Sequence, residues 1–385
     1  MSGERVVIVG AGPAGLATVR SYRECGGAAP VTIIGREPLP PYRRPPLTKE
    51  FLRGEITAED LPLERDAWYA EHDVELRLGC EVSAIDPRGG TVQFGEETLD
   101  AAMIVLATGS EPVRPKLPGI EHGRVLSMRA LADSELIAER VQAGTRALVI
   151  GSGFIGCEIA ASLARIGARI TLIAQEEAPQ QERLGLAAAL RIGDWLRELG
   201  VELVTGAEVS AIEDGRVALL VDGSRHEGEW VLLGTGARPR GALAKAAGVP
   251  VEDGAVLVDA QMRAGERLLA VGDVAFAHNA SAGRRLRVEH WGDALAHGEV
   301  AGRTLAGASA AWEDVPGFWS TIGERTLKHA AWGDGYDSSE LVGQDDGAFT
   351  VWYSRAGALV GVLTHDRDSD YEEGRKRIRE EAAAP

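Results

Sequence analysis

Two copies of one short pattern, a buried strand followed by a glycine-rich turn and a helix, constrain this 385-residue chain more than any other feature. The apolar run Val6–Val9 leads directly into the sequence GAGPAG, and residues 147–150 lead in the same way into GSGFIG. In a G-x-G-x-x-G turn, the first glycine permits the tight bend, the second lets backbone N–H groups approach a pyrophosphate, and the third lets the helix pack on the strand. The sequence therefore predicts two nucleotide-binding domains.

Each copy continues in a way that is typical of a βαβ unit. After the first turn, residues with helical spacing run to Gly26, and a second apolar strand covers residues 31–34. After the second turn, a helix extends to Ile166 and is followed by a strand over residues 170–173. Strands and helices that alternate in this order indicate an α/β fold with parallel sheets.

Further apolar strands are predicted after these units. Residues 101–106 and Trp230–Leu233 each end in a glycine-containing turn, and each closes a nucleotide-binding unit. A strand over residues 268–271 is predicted to place Asp273 at the carboxyl edge of a sheet, which is where open α/β sheets bind ligands. The last part of the chain contains successive strand-like runs, such as residues 349–353 and 358–363, and predicts a separate α+β domain.

The composition excludes several classes of protein. The chain has 48 glycines but no G-X-Y period, and 45% of its residues are hydrophobic, so it is neither collagen-like nor disordered. Its three cysteines, Cys25, Cys80 and Cys157, are not spaced as C-x-x-C and cannot all pair. A disulfide scaffold, a cysteine zinc site and a vicinal dithiol redox centre are therefore excluded, and we expect a reducing compartment.

The charge balance argues against nucleic acid and membrane partners. The chain carries 41 basic and 58 acidic residues, which gives a formal net charge of −17, and such a field repels polyanions. No apolar run reaches the roughly 18 residues that span a bilayer, and the N-terminus has no signal-peptide pattern. We expect a cytoplasmic protein that has no metal site.

Five short segments add a family resemblance to these patterns. They are PYRRPPLTK at residues 41–49, LATG at 106–109, AVGDV at 270–274, EHW at 289–291 and VPGFWS at 315–320. With the two glycine turns, they make the chain resemble the NAD(P)H-dependent ferredoxin reductases of the putidaredoxin reductase and biphenyl dioxygenase reductase type, a group that includes apoptosis-inducing factor. The resemblance covers nearly the whole chain. It implies two Rossmann-like domains of the glutathione-reductase type, a small α+β C-terminal domain, FAD as bound cofactor and NADH as co-substrate.

The resemblance also implies domain boundaries and FAD contacts. A discontinuous FAD-binding domain would comprise residues 1–112 and 236–312. An NAD(P)H-binding domain would comprise residues 113–235, and a C-terminal reductase domain would comprise residues 313–385. Glu37 would bind the adenosine ribose, Asp273 the ribitol, and the Trp291 backbone N–H the flavin pyrimidine edge. The FAD contacts implied in this way are Gly10, Gly12, Ala14, Gly15, Glu37, Arg44, Lys49, Val82, Thr108, Gly109, Arg129, Asp273 and Trp291.

In the second nucleotide unit, the resemblance implies that the glycine turn holds the NADH pyrophosphate. The cofactor contacts assigned to this unit and its closing turn are Gly151, Gly153, Ile155, Gly156, Glu176 and Gly236.

Three residues are candidates for catalysis on the same basis. We predict that Lys49 and Glu158 form an ion pair beside flavin N5, and that Trp319 stacks close to the flavin or the nicotinamide ring. Each residue has an alternative role. Lys49 could be a solvated surface residue, Glu158 could interact only with the helix dipole, and Trp319 could belong to the core. His290 and His365 lie in no recognised constellation and are left unassigned.

Two positions depart from the family pattern. NADH-using relatives usually place an acid at the end of the second strand of the second nucleotide unit, whereas this chain has Ala174 there, followed closely by Glu176 and Glu177. Because two acids repel a 2′-phosphate and no arginine stands beside them, we predict NADH rather than NADPH. Arg36 stands where relatives often have an acid, which leaves Glu37 alone to bind the FAD ribose.

Three functions fit these observations. The leading one is a flavoprotein that passes hydride from NADH to FAD and then single electrons to a small acidic ferredoxin, which supplies an oxygenase such as a cytochrome P450. The others are an NADH oxidase or quinone/dye reductase with a small acceptor, and a redox-regulated flavoprotein of the apoptosis-inducing-factor type. We expect a monomer or weak dimer. Docking of an acidic ferredoxin on so acidic a protein requires a local basic face, for which the candidates are Arg284, Arg285 and Arg287, with Arg43, Arg44, Arg325 and Lys328.

Overall fold

The computed structural model describes residues 5–343 and 345–382. This part of the chain contains eight α-helices: α1 (Pro13–Glu24), α2 (Asp66–Glu71), α3 (Leu131–Arg140), α4 (Phe154–Arg165), α5 (Gln181–Glu198), α6 (Ala242–Ala246), α7 (Trp291–Leu305) and α8 (Asp368–Ala382). Its first fourteen strands are β1 (Val6–Val9), β2 (Val31–Gly35), β3 (Val74–Leu78), β4 (Val82–Asp86), β5 (Thr91–Phe94), β6 (Glu97–Asp100), β7 (Met103–Leu106), β8 (Ser110–Pro112), β9 (Val125–Ser127), β10 (Arg146–Ile150), β11 (Arg169–Ile173), β12 (Glu202–Val204), β13 (Val209–Glu213) and β14 (Val217–Leu220). The later strands are β15 (Arg225–Glu227), β16 (Trp230–Leu233), β17 (Ala237–Pro239), β18 (Val251–Glu252), β19 (Ala255–Val258), β20 (Arg263–Gly265), β21 (Leu268–Ala270), β22 (Ala275–Asn279), β23 (Arg284–Arg287), β24 (Gly317–Ile322), β25 (Arg325–Ala331), β26 (Ser338–Gly343), β27 (Phe349–Arg355) and β28 (Ala358–His365).

The first glycine turn lies at the carboxyl edge of a six-stranded sheet with the order β20-β21-β7-β1-β2-β3. β1 pairs in parallel with β2 and β7, and all four of its residues are buried, as expected of a strand covered on both faces. The prediction of a buried parallel strand here is confirmed. β7 begins at Met103 rather than at residue 101, because the Ala101 N–H bonds to the carbonyl of Gly90 in the neighbouring hairpin.

The second glycine turn has the same setting in a five-stranded sheet with the order β12-β11-β10-β16-β9. β10 pairs in parallel with β11 and β16, and α4 packs on β10 and β11. β8 and β17 form a two-stranded antiparallel ladder where the chain passes between the two sheets. The predicted α/β class with two Rossmann-like units is confirmed by these two sheets.

The last part of the chain forms a five-stranded antiparallel sheet with the order β24-β25-β28-β27-β26, on which α8 packs. β27 and β28 each extend two residues beyond the strands predicted at residues 349–353 and 358–363. The small sheets β4-β5-β6, β13-β14-β15 and β18-β19-β22-β23 complete the fold.

The buried apolar side chains show how the parts are held together. One large cluster surrounds the six-stranded sheet and includes Ile378 of α8. Another joins the five-stranded sheet to Phe318 and Leu363 of the C-terminal sheet. The C-terminal sheet therefore packs against both nucleotide units. No helix within residues 5–343 and 345–382 has the length and apolar character that crossing a bilayer requires.

Candidate active site

A deep cleft is lined by residues of both glycine turns, of the segment 44–49 and of β24. Its volume is about 1820 Å³, whereas a pocket for one small molecule measures roughly 300–1,000 Å³. The cleft includes the carboxyl ends of β1 and β10, which is where open α/β sheets bind ligands. It has room for two nucleotides.

The first glycine turn has close backbone contacts on one side and open space on the other. Gly10 has φ +123°, and a Cβ there would lie 2.1 Å from the carbonyl oxygen of Ala107. A Cβ on Gly15 would lie 2.7 Å from the Gly10 carbonyl oxygen, whereas a Cβ on Gly12 would meet no described protein atom within 4 Å. Because no protein contact explains the glycine at position 12, its open side fits a phosphate at the N-terminus of α1.

The second glycine turn repeats this arrangement. Gly151 has φ +99°, and a Cβ there would lie 2.4 Å from the Gly234 carbonyl oxygen; a Cβ on Gly156 would lie 2.1 Å from the carbonyl oxygen of Gly151. Gly153 lines the cleft, whereas Gly15, Gly151 and Gly156 do not. These last three glycines permit close backbone packing, and the middle glycine of each turn faces the cleft. The pyrophosphate contacts expected of the turn glycines stay a prediction.

Glu37 lies two residues after β2 and is held by a polar network at the cleft wall. Its Oε1 accepts a hydrogen bond from Arg44 Nη2 at 2.5 Å, and its Oε2 accepts one from the Tyr42 hydroxyl at 2.6 Å. Burial opposes ionisation, but the charge of Arg44 and the Tyr42 hydrogen bond hold the pKa of Glu37 below its ordinary value. Glu37 is therefore an ionised acceptor suited to the ribose hydroxyls of a nucleotide.

Asp273 lies just beyond β21 and beside the N-terminus of α7. Its Oδ2 accepts hydrogen bonds from the Ser110 hydroxyl at 2.7 Å and from Arg129 Nη2 at 2.8 Å. Trp291 is the first residue of α7, so its backbone N–H has no acceptor within the helix, and the residue lines the cleft. The wall at this point offers an acceptor and a backbone donor.

The structure brings Lys49 and Glu158 together although 109 residues separate them in sequence. Lys49 Nζ lies 2.9 Å from Glu158 Oε2, and the two side chains are only 9% and 6% exposed. The Thr48 hydroxyl donates to the same carboxylate oxygen at 2.5 Å. The other oxygen accepts hydrogen bonds from the Ser320 hydroxyl at 2.8 Å and from the Thr321 N–H at 3.3 Å. Lys49 is thus not a solvated surface lysine, and the Glu158 carboxylate joins three distant parts of the chain.

An aromatic wall borders this ion pair. The Phe318 ring centroid lies 4.3 Å from that of Phe154 and 4.4 Å from that of His290. Burial, together with the nearby charge of Arg183, lowers the pKa of His290 to about 4, so its imidazole is neutral at neutral pH. Trp319 lines the cleft and is 42% exposed, so it is not a core residue.

Glu176 also lies at the cleft, where it fixes the second glycine turn. Its Oε2 accepts hydrogen bonds from the Ser152 hydroxyl at 2.9 Å and from the Gln180 N–H at 3.1 Å. Glu177 does not line the cleft, because its carboxylate points to Gly206, where a Cβ would lie 2.9 Å from Oε1. Only one of the two acids expected to repel a 2′-phosphate therefore faces the cleft. The other predicted contacts that line it are Ala14, Val82, Thr108, Gly109, Ile155 and Gly236.

Comparison with known proteins decides the family. The sequence profile described as pyridine nucleotide-disulphide oxidoreductase matches residues 4–298. The chain belongs to this family. This oxidoreductase is 32% identical to putidaredoxin reductase CamA of Pseudomonas putida, over 97% of this chain and 92% of that protein. It is 35% identical to the ferredoxin–NAD(+) reductase component of the anthranilate 1,2-dioxygenase system of Burkholderia cepacia, over 83% of this chain and 80% of that protein.

The fold of the oxidoreductase is similar to that of a chain in the crystal structure of the covalent putidaredoxin reductase–putidaredoxin complex. The TM-score is 0.93 at 29% identity, and the match covers 99% of this chain and 94% of the other. The family resemblance noted in the sequence is confirmed, and the protein is an FAD-dependent oxidoreductase.

The disulphide chemistry in the family name has no cysteine pair to support it here. Cys25, Cys80 and Cys157 are free, and only Cys80 lines the cleft. Burial raises the pKa of the Cys157 thiol, which keeps it protonated. Within the described residues, no group of three or more His, Cys, Asp and Glu side chains could hold a metal ion.

Of the basic residues predicted to form a docking face, Arg284, Arg285 and Arg287 lie outside the cleft, whereas Arg44 lines it. Arg284 pairs with Asp334, and Arg287 pairs with Asp253 at 3.2 Å. Arg285 is exposed and has no carboxylate within 4 Å in the described part of the chain. Acidic partners likewise hold three of the other basic residues considered for this face, Arg44, Arg325 and Lys328. Arg43 instead donates a hydrogen bond to the Asp60 backbone carbonyl.

Sequence reasoning missed several polar residues that hold the predicted ones in place. Thr48 and Ser320 bind Glu158, Tyr42 binds Glu37, and Ser110 binds Asp273. Tyr42 and Thr48 belong to the segment PYRRPPLTK, and Ser320 directly follows Trp319. Their motifs were recognised, but a sequence does not show which side chain will reach which partner.

Proposed function

We propose that this oxidoreductase is an NADH:ferredoxin reductase that carries FAD. The observation that carries the proposal is the buried Lys49–Glu158 ion pair in a cleft lined by two glycine turns from two separate parallel sheets. Relatives named putidaredoxin reductase and dioxygenase ferredoxin reductase component support it. The enzyme passes reducing equivalents from NADH to a ferredoxin, which supplies an oxygenase such as a cytochrome P450.

FAD fits the nucleotide unit formed by residues 1–112 and 236–312. The open side of Gly12 accommodates its diphosphate, because a Cβ there would meet no described atom of the protein. The ionised Glu37 carboxylate accepts the adenosine ribose hydroxyls, and Asp273 accepts from the ribitol chain.

NADH fits the other nucleotide unit, residues 113–235. Gly153 faces the cleft at the N-terminus of α4, where a diphosphate is favoured by backbone N–H groups. Ile155 is exposed on the same side and offers an apolar contact. The proposed C-terminal domain, residues 313–385, contributes β24, whose residues Phe318 and Trp319 line the cleft.

The chain's own residues position the reacting groups. Bound FAD supplies the conversion between a two-electron donor and a one-electron acceptor. Lys49 presents a cation in a largely dry site, where its charge is felt more strongly than in water. Thr48 and Ser320 fix the Glu158 carboxylate that holds this cation. The neutral His290 ring adds no second charge to the aromatic wall.

A small acidic ferredoxin is the proposed partner of a monomeric or weakly dimeric enzyme. Arg285 is exposed and has no carboxylate within 4 Å in the described part of the chain, so it offers local positive charge on a protein whose net charge is −17. Arg284 beside it is paired with Asp334. Arg287 completes the same strand, β23. Such a local patch steers an acidic partner, and this attraction weakens as salt is added.

The proposed function is tested by following cytochrome c reduction by NADH under anaerobic conditions, with and without a ferredoxin. We expect bleaching of the flavin absorbance on adding NADH, and cytochrome c reduction that depends on the ferredoxin. Hydrogen peroxide production in air at an undiminished rate without ferredoxin would instead identify an oxidase with a small acceptor. A change of oligomeric state on adding NADH, without turnover, would identify a redox-regulated flavoprotein.

Charge reversal tests the docking surface separately. We expect the double variant Arg284→Glu and Arg285→Glu to lose at least about tenfold in kcat/KM for the ferredoxin while retaining its ferricyanide activity. The matched control is Arg216→Glu with Arg225→Glu, which makes the same change of charge on exposed residues beside the small β13-β14-β15 sheet. Equal losses in both double variants would show that only net charge matters, and would remove this surface from docking.

The coenzyme preference has its own test. We expect kcat/KM for NADH to exceed that for NADPH by at least about tenfold, because the Glu176 carboxylate at the cleft opposes a 2′-phosphate. Glu176→Gln should narrow this ratio by improving NADPH, whereas Glu177→Gln should leave it unchanged, since Glu177 faces Gly206. A wild-type preference for NADPH would contradict the assignment.

A further inference from the structure

Three arginines line one wall of the cleft, and no sequence motif assigns them a common role. Arg36 follows β2, Arg129 follows β9, and Arg240 follows β17. Burial and the charge of Arg36 lower the pKa of Arg240 most, the charge of Arg129 lowers it further, and Glu111 offsets only part of this. Arg240 is therefore close enough to the other two arginines for their charges to act on it. Like charges held together beside a dry surface require a counter-charge.

The protein supplies too little counter-charge of its own at this wall. Arg129 is paired with Asp273, but Arg240 Nε lies 3.5 Å from the nearest Glu111 oxygen, and Arg238 already binds Glu111 at 2.7 Å. The buried Arg240 Nε has no hydrogen-bond partner in the described part of the chain. Arg36 has no carboxylate within 4 Å among those residues. The wall therefore carries excess positive charge and an unused donor.

The position of this charge relates it to the first glycine turn. The Arg240 N–H donates to the Gly109 carbonyl at 2.9 Å, and the Thr108 hydroxyl donates to the Arg240 carbonyl at 2.9 Å. A Cβ on Gly10 would lie 3.1 Å from the Thr108 backbone nitrogen. The Arg240 backbone is thus hydrogen-bonded to Thr108 and Gly109, and this segment packs directly against the first glycine turn.

We propose that Arg240, together with Arg36, is a counter-ion for the diphosphate of FAD. This inference rests on the proposed function, because it needs FAD in the first nucleotide unit. A diphosphate ester carries two negative charges, and guanidinium groups bind phosphate oxygens through paired N–H donors. Arg36 directly follows β2 of the sheet whose strand β1 leads into the turn that contains Gly12, whereas the second turn, proposed for NADH, follows a strand of another sheet.

The test measures FAD binding rather than turnover. FAD released from the holoprotein on dilution is followed by recovery of flavin fluorescence, at low and at high KCl concentration, for the wild type and for Arg240→Gln. We expect the Kd for FAD to rise by about tenfold to a hundredfold in the variant, as for loss of a charged hydrogen bond. The dependence of the Kd on salt should also become shallower, because one cation no longer contributes.

The matched control is Arg238→Gln. This substitution also removes one positive charge and one guanidinium group that pairs with Glu111. The Arg238 side chain is 69% exposed, against 28% for Arg240, so we expect the FAD Kd to stay within about twofold of wild type. Arg36→Gln changes an exposed residue and should weaken FAD binding even if Arg240→Gln fails to fold.

Equal Kd values for Arg240→Gln and Arg238→Gln would overturn the inference, as would an unchanged FAD Kd with a raised KM for NADH. If the Arg240→Gln protein does not fold, an unchanged Kd for FAD in Arg36→Gln would overturn the inference. A wild-type protein that binds no FAD would overturn the proposed function itself, so the two failures are distinguishable.

Discussion

Gly12→Ala should produce a folded protein that no longer retains FAD. A Cβ at position 12 meets no described protein atom within 4 Å, so the apoprotein should fold and melt like the wild type. The added methyl group nevertheless occupies the space in which the backbone must approach the diphosphate. We expect purified Gly12→Ala to be nearly colourless and its Kd for FAD to rise by at least about a hundredfold, or roughly 2.7 kcal/mol.

The control for this prediction is Gly123→Ala. A Cβ on Gly123 would also meet no described atom within 4 Å, but Gly123 is exposed and does not line the cleft, so its alanine variant should bind FAD normally. Absorbance at the flavin bands gives the retained cofactor, and circular dichroism gives the melting temperature. A Gly12→Ala protein with wild-type flavin content would show that this turn does not hold the cofactor.

Lys49→Met should slow reduction of the flavin by NADH by about a hundredfold to a thousandfold, the range found when one charged or hydrogen-bonding group is removed from a preorganised site. The variant keeps the length and apolar stem of the side chain but removes the cation 2.9 Å from Glu158. It also leaves a buried carboxylate to which, among the described residues, only Thr48, Ser320 and Thr321 donate hydrogen bonds. Anaerobic stopped flow at the flavin absorbance measures this step without any ferredoxin.

Lys328→Met provides the matched control. Lys328 lies on the C-terminal sheet, is more exposed than Lys49 and is paired with Asp368. This variant should reduce its flavin at the wild-type rate. Flavin content and melting temperature separate a slow chemical step from a protein that has lost cofactor. A wild-type reduction rate in Lys49→Met, at normal flavin content, would remove the ion pair from the mechanism.

The fold could be predicted from the sequence wherever the signal is local. The strands at Val6–Val9 and Trp230–Leu233 are short, apolar and bounded by glycine, and the structure has them as predicted. The turn glycines were recognised because their spacing reflects backbone contacts within one unit. The difference between Gly12, which is open to the cleft, and Gly15, which packs on Gly10, could not be seen, because both satisfy the same motif.

The site was predictable only in part, because its contacts join distant segments. The proximity of Lys49 and Glu158 was expected from a family resemblance, not from the residues themselves. Nothing in the sequence places Ser320 on the Glu158 carboxylate, since 162 residues separate them and the contact depends on how the C-terminal sheet packs. The opposite orientations of Glu176 and Glu177 likewise depend on the loop that follows β11.

The Glu158 carboxylate also sets an order of events during synthesis. Both glycine turns lie in the first half of the chain. Of the four donors that the described residues give to this carboxylate, two, the Ser320 hydroxyl and the Thr321 N–H, come from β24 in the last quarter of the chain. A nascent chain can therefore build its nucleotide-binding turns well before the carboxylate that holds Lys49 is fully restrained.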